Sequence, residues 1–181
     1  MFKKTLSIIF TLALTACAAN KPQPVIIAPE VTVNKDLVNV LKVEVNDLRK
    51  QNPLAFVNGK AKPMNKDLIP NLELWLQQSI DTNPYGSKVM SINLLSYASY
   101  IKQETMTFTI ESVLEWQIKV ESEQKTWVKS YQSTINEEGP LTADNSIIEK
   151  HLNKLASQLL ERSLSDQEFE QIVNFVTPVS Q

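Results

Sequence analysis

The sequence predicts an α+β domain in two layers: a mixed, mostly antiparallel sheet with amphipathic helices on one face, in the order ββαβββαα. Three observations carry this. Between Met106 and Val120 the even positions are apolar apart from Ser112, while the odd ones are mostly Thr, Glu, Gln and Lys, the period-two pattern of a long strand with one face in the core. Apolar segments at 89–101 and 125–135 flank it across the short polar links "KQET" and "ESEQ". Such links favour an antiparallel meander, because parallel neighbours need a long crossover. Ile148, Leu152, Leu155 and Leu159 then recur at helical spacing and draw an apolar stripe.

Taken in order, the chain opens with a basic start, Met1-Phe2-Lys3-Lys4, and the apolar run "TLSIIFTLALTA" over Thr5 to Ala16. A membrane-spanning helix needs roughly 20 apolar residues, so residues 1–16 predict a signal peptide that lies outside the fold. Residues 17–24 contain "AANKPQP", polar and with two prolines, and predict an extended tether. A single domain over 25–176 follows, with a frayed tail at 177–181.

Within the domain, "VIIAPEVTV" is β-branched but broken by Pro29, which confines it to an edge strand or the approach to one. Leu41, Val43 and Val45 alternate with polar residues and predict a half-buried strand over 41–47. Arg49 to Pro63 predicts a loop or short hairpin arm around Leu54, Phe56 and Val57. Leu68, Ile69, Leu72, Trp75 and Leu76 predict a helix over 65–81, capped by Asn65 or Asp67, with Pro70 tolerated in its first turn. That helix could link the strand at 41–47 to the one at 89–101 as a parallel crossover. "NEEGPLTADN", Asn136 to Asn145, predicts the turn into the final helices. Ser146 with Glu149, and Ser165 with Glu168, form two capping-box patterns, the second opening a short helix with Phe169, Ile172 and Val173.

Composition narrows the function. Removing residues 1–16 leaves 165 of the 181 residues and moves the formal charge from −2 to −4. That balance gives no basic footprint for nucleic acid. The sole cysteine, Cys17, leaves no pair for a disulfide or a cysteine-based zinc site. Three glycines, at 59, 86 and 139, make no phosphate cradle, and no serine sits in a G-x-S-x-G elbow.

His151 is the only histidine and falls beside the apolar stripe, so it is expected to pack at the boundary of helix and sheet rather than to serve as a base or ligand. Glu137 and Glu138 are expected in a solvated turn rather than as paired catalytic carboxylates. No catalytic residue, metal or cofactor is therefore predicted, and the chain is expected not to be an enzyme. A hydrolase using His151 or Glu138 and a carrier of a small apolar ligand are the alternatives. Trp127 and Tyr131 share one side of the last meander strand: exposed on an uncovered sheet face they would mark a partner-binding surface, and otherwise they belong to the core.

Leu14-Thr15-Ala16-Cys17 resembles the lipobox of bacterial lipoproteins. The resemblance implies cleavage between Ala16 and Cys17, acylation of Cys17, and attachment to the membrane through two or three chains, since one chain anchors only marginally. Ala18 and Ala19, rather than an aspartate, follow the cysteine, which by the same resemblance implies the outer membrane facing the periplasm. With the lipobox, the "DLIPNLELWLQQ" helix and the "YQSTINEEG" strand leading into the final helices, the chain resembles the YajG-like family of bacterial lipoproteins. This implies an outer-membrane lipoprotein of undetermined activity, with Cys17 as its one transferable functional position. The expected partner besides the membrane is a protein of the cell envelope.

Overall fold

The computed structural model describes residues 23–63 and 67–174. The leader, the Ala16–Cys17 cleavage position, residues 17–22 of the expected tether, the Asn65 cap and the tail from Thr177 lie outside the described residues. Eleven elements follow in the order β1 Lys35–Leu37, β2 Val40–Asp47, β3 Ala55–Val57, β4 Lys60–Ala61, α1 Leu68–Ser79, β5 Ile80–Thr82, β6 Lys88–Gln103, β7 Thr107–Glu121, β8 Thr126–Pro140, α2 Asn145–Leu164 and α3 Gln167–Asn174.

The main sheet runs β4-β3-β6-β7-β8, and β2 also pairs with β6. β6, β7 and β8 form the expected antiparallel meander. β2 and β3 both run parallel to β6, on different stretches of the same edge, so β2, α1 and β6 make the expected parallel crossover. A small parallel pair, β1 with β5, stands apart. The even residues of β7 are buried from Phe108 to Val120, beneath α2. Met106, expected in that row, is exposed because the strand starts after it.

Two bulges decide which side chains face the core. In β6, Met90, Ile92 and Leu94 point inward, then a register shift between Leu94 and Ser96 hands the inward role to Tyr97, Ser99 and Ile101. One extra residue changes the parity of everything after it. In β2 a shift between Val40 and Lys42 buries Val40 and leaves Leu41 exposed, correcting the expectation that Leu41 lies inward with Val43 and Val45. Gly86 allows the next segment to reach this bulge: a Cβ there would lie 2.6 Å from the Leu41 nitrogen.

The Arg49–Pro63 arm resolves into the β3–β4 hairpin, turned by Asn58-Gly59 with φ 48° and 77°, the positive pair that a two-residue hairpin turn favours. α1 begins at Leu68 with Pro70 in its first turn, as expected; Asp67 occupies the N-cap position, but its side chain makes no capping hydrogen bond.

"VIIAPEVTV" takes the second of its two expected forms, the approach to a strand: apart from a single bridge at Val25 it lies as an extended strap between α1 and α2 and leads into β1, with Val25 and Ile27 buried. Helix side chains satisfy its backbone. Ile26 donates to the Glu149 carboxylate (2.8 Å) and Ala28 to Asn153 Oδ1 (2.9 Å), while Trp75 Nε1 and Ser157 Oγ donate to the Glu30 carbonyl. Two local expectations are corrected. First, "NEEGP" is not a turn: β8 continues through it to Pro140, and Gly139 packs so closely that a Cβ would lie 2.6 Å from the Phe108 ring. Second, neither serine is the N-cap of its helix. Asp144 caps α2, accepting from the Ile147 amide (3.1 Å) and from Ser146 Oγ, which leaves Glu149 for the strap. Asp166 caps α3, accepting from the amides of Glu168 (3.0 Å) and Phe169. In both places a nearby carboxylate outcompetes the hydroxyl as acceptor.

Candidate functional site

Side chains of β6, β7, β8 and α2 meet in a polar chain through the core. Ser99 Oγ lies 2.7 Å from Ser112 Oγ, Ser112 Oγ 3.3 Å from His151 Nδ1, and His151 Nε2 2.9 Å from the Glu137 carboxylate. Strand pairing dictates this placement. Ser99 and Ser112 are register partners, and Glu137 is partnered with Ile110, so it projects to the helix face one step along β7 from Ser112. His151 reaches them from α2, one turn after Ile148.

Serine, histidine and glutamate are therefore in contact in the order a nucleophilic relay would require. Ser112, however, has no exposed surface, and His151 is 2 % exposed. A substrate carbonyl has no route to the hydroxyl, so the arrangement is a satisfied polar network. The His151 contact holds the Glu137 carboxyl below its ordinary value. His151 thus lies deeper than the boundary position expected of it. Continuing the odd-position alternation of β8 beyond Ile135 would have placed Glu137 on the same face; the composition of "NEEGP" concealed it.

A second cluster contains the two aromatics singled out above. Trp127 pairs with Val120 and Tyr131 with Trp116, both inward residues of β7, so both aromatics stand on the helix-covered face and not on the uncovered one. Trp127 is half-buried, with its ring 5.9 Å from that of Phe169 on α3. Tyr131 is buried, and its hydroxyl has no hydrogen-bond partner among the described residues; burial pushes this phenol up to about 12. Between them Lys129 bridges Asp166 (2.8 Å) and Glu168 (2.9 Å) at the start of α3. Hydrogen bonding to Asp166 raises the lysine and lowers the carboxylic acid. Beside Trp127 a cavity of about 470 Å³ opens between α3 and the β7–β8 turn, lined by Lys88, Val120 and Ile172 among others. The Lys88 ammonium donates to the Ile172 carbonyl (2.7 Å) at the end of α3, and burial lowers its proton affinity.

The opposite face of the sheet carries no helix among the described residues. Its surface is mostly Thr, Ser, Asn, Gln and Glu, tied in places by amide contacts such as Asn46 Nδ2 donating to Asn93 Oδ1 (3.0 Å). One row differs. Phe56, Tyr100, Glu111 and Asn136 are register partners across β3, β6, β7 and β8, and so stand side by side. The Phe56 and Tyr100 rings stack at 5.3 Å and 8°. They wall a groove of about 840 Å³ that reaches Glu138 and the hairpin turn at Asn58-Gly59. Sequence reasoning missed this row; the parity switch inside "LLSYASYI", which turns Tyr97 inward and Tyr100 outward, was the available signal.

Among the described residues no group of three or more His, Cys, Asp or Glu side chains could hold a metal ion, and no helix is long and apolar enough to cross a membrane.

A family model described as "Uncharacterized lipoprotein" matches residues 27–174. No curated protein matches the chain. Among solved structures, a DUF330 protein from Xanthomonas campestris aligns at 13 % identity and TM-score 0.42, over 79 % of this chain and 92 % of that one. An uncharacterized protein aligns at 9 % and 0.47, over 83 % and 96 %. A Helicobacter pylori protein described as a neuraminyllactose-binding hemagglutinin homologue aligns at 10 % and 0.40, over 83 % and 93 %. Likeness at this level carries no information about activity.

Proposed function

Because the chain belongs to the uncharacterised YajG-like lipoprotein family, we propose that it is a lipid-anchored module of the outer membrane, facing the periplasm, that binds a protein of the cell envelope and catalyses no reaction. Acylation at Cys17 supplies the anchor, and the folded domain supplies the binding surface. The uncovered face of the β6–β7–β8 meander carries the binding half of this reading. Three strands of about fifteen residues present a sheet face that no helix covers among the described residues. The enzyme alternative finds little support, since the one serine beside the one histidine is sealed beneath α2.

A photoreactive amino acid at Gln117 or Thr134, in the middle of the uncovered face, tests the reading in cells. The expected result is a discrete adduct with an envelope protein in the outer-membrane fraction. Absence of adducts from both positions contradicts it, as does turnover of cell-wall or lipid substrates by the purified protein that disappears with His151→Ala.

The cavity beside Trp127 supports a second reading, a carrier of a small apolar ligand held between sheet and α3. Native mass spectrometry would then show retained lipid that Trp127→Ala abolishes.

A further inference from the structure

The uncovered face has an uneven charge pattern. β2, β6 and β7 bring three cations to it, Lys42, Lys102 and Lys119, and each is paired with a glutamate two residues further along the same chain, Glu44, Glu104 and Glu121; Lys102, which lines the groove, is paired with Glu104 at 2.9 Å. Glu111 and Glu138 are exposed and make no ion pair or hydrogen bond among the described residues. They are diagonal neighbours, Glu111 pairing with Asn136 and Glu138 with Thr109. Such positions lie about 7 Å apart, so both carboxylates can reach one cation.

Next to Glu111 in the row stands Tyr100, 44 % exposed. Phe56 covers one face of the Tyr100 ring, so the other face turns along the row toward β7. The wall is held in place. Asn58 in the hairpin turn donates its backbone amide to the Ile101 carbonyl (2.8 Å) and Nδ2 to the Gln103 carbonyl (3.1 Å), and its Oδ1 accepts from the Gln103 amide (2.8 Å).

A guanidinium or ammonium group between the Tyr100 ring and these two carboxylates would gain a cation–π contact and ion pairing together. We propose that the groove over Tyr100, Glu111 and Glu138 is the docking site for a basic, extended segment of the partner protein, with a lysine or arginine side chain seated against Tyr100. This rests on the binding-module reading and names the chemistry of the partner.

The probe is a fluorescein-labelled decapeptide of alternating arginine and threonine, titrated by fluorescence anisotropy against the full chain in detergent micelles. The expected result is saturable binding that weakens about fivefold in the Glu111→Gln/Glu138→Gln double variant and about threefold in Tyr100→Ala. Raising salt from about 0.05 to 0.5 M should weaken it further. A matching glutamate–threonine peptide should not bind, and Glu111→Lys/Glu138→Lys should reverse the preference. Equal affinity for wild type and double glutamine variant overturns the site. So does tight, Tyr100-dependent binding of a neutral chito-oligosaccharide without binding of the basic peptide.

The two readings fail separately. If the Gln117 or Thr134 adduct persists in Glu111→Gln/Glu138→Gln cells, the binding module stands and this docking site falls. If the peptide behaves as expected and no adduct ever forms, the docking site stands and the envelope-partner reading falls.

Discussion

His151 Nε2 lies 2.9 Å from the Glu137 carboxylate, joining a nearly buried helix residue to the far end of β8. This contact pins the end of the last meander strand to α2, and it carries a pH signature. The Glu137 carboxyl is held below its ordinary 4.5, chiefly by its hydrogen bond to His151. A depressed folded value means that the ionised carboxylate contributes stability above about pH 4.5, and that the contribution is lost as pH falls through the folded value. The difference in Tm between wild type and Glu137→Gln should therefore close as pH falls below about 4.5 and through the folded value. A gap that widens toward low pH would contradict this.

Ser99 and Ser112 satisfy each other with no exposed surface on either. Removing one leaves the other a buried, poorly paired hydroxyl, so Ser112→Ala should destabilise the domain by about 1–3 kcal/mol in urea unfolding. The Ser99→Ala/Ser112→Ala double variant should lose less than the sum of the two single ones. Strict additivity would show that the hydroxyls are not coupled.

Gly86 has backbone, not side chain, where a Cβ would go, at 2.6 Å from both the Leu41 nitrogen and the Val40 carbonyl carbon. Backbone cannot rotate aside, so Gly86→Ala should cost about 2–3 kcal/mol by forcing the β2 bulge outward. Gly59→Ala meets open space but keeps a positive φ, and should cost only about 1 kcal/mol. Thermal unfolding of the two variants side by side checks the order.

The Tyr131 hydroxyl is buried without a partner among the described residues. Deleting it removes a desolvated polar group and keeps the ring, so Tyr131→Phe should be neutral or stabilising by up to about 1 kcal/mol. A clear loss of stability in urea unfolding would mean that the hydroxyl is bonded in solution.

Much of this fold was legible because side-chain period reports burial directly. The even row of β7 and the Ile148–Leu152–Leu155–Leu159 stripe of α2 needed no tertiary information. What stayed hidden depends on contacts distant in sequence. Leu41 reads as a core residue until the bulge at Val40 turns it out, and Gly86, distant in sequence, packs its backbone against that bulge. The strap at 25–33 reads equally as an edge strand or the approach to one, because nothing local reveals that Glu149, Asn153 and Trp75 will satisfy its backbone.

Gly139-Pro140 has the composition of a turn, whereas the glycine is there to admit the Phe108 ring. That misreading also concealed Glu137, and with it the polar chain through His151. For the binding surface, Trp127 and Tyr131 are aromatics at strand spacing and fit either face in sequence, yet their register with Val120 and Trp116 fixes them inward. Tyr100, the aromatic that does face the open side, owes that position to a one-residue irregularity upstream.

If the domain is, as proposed, an envelope-binding module held to the outer membrane by lipid on Cys17, then intact mass and membrane fractionation of the wild type beside Cys17→Ser read the anchor directly. The wild type is expected to lose residues 1–16, gain acyl mass and sediment with the outer membrane, while the variant does none of these. An unmodified Cys17 on a protein free in the periplasm would contradict it.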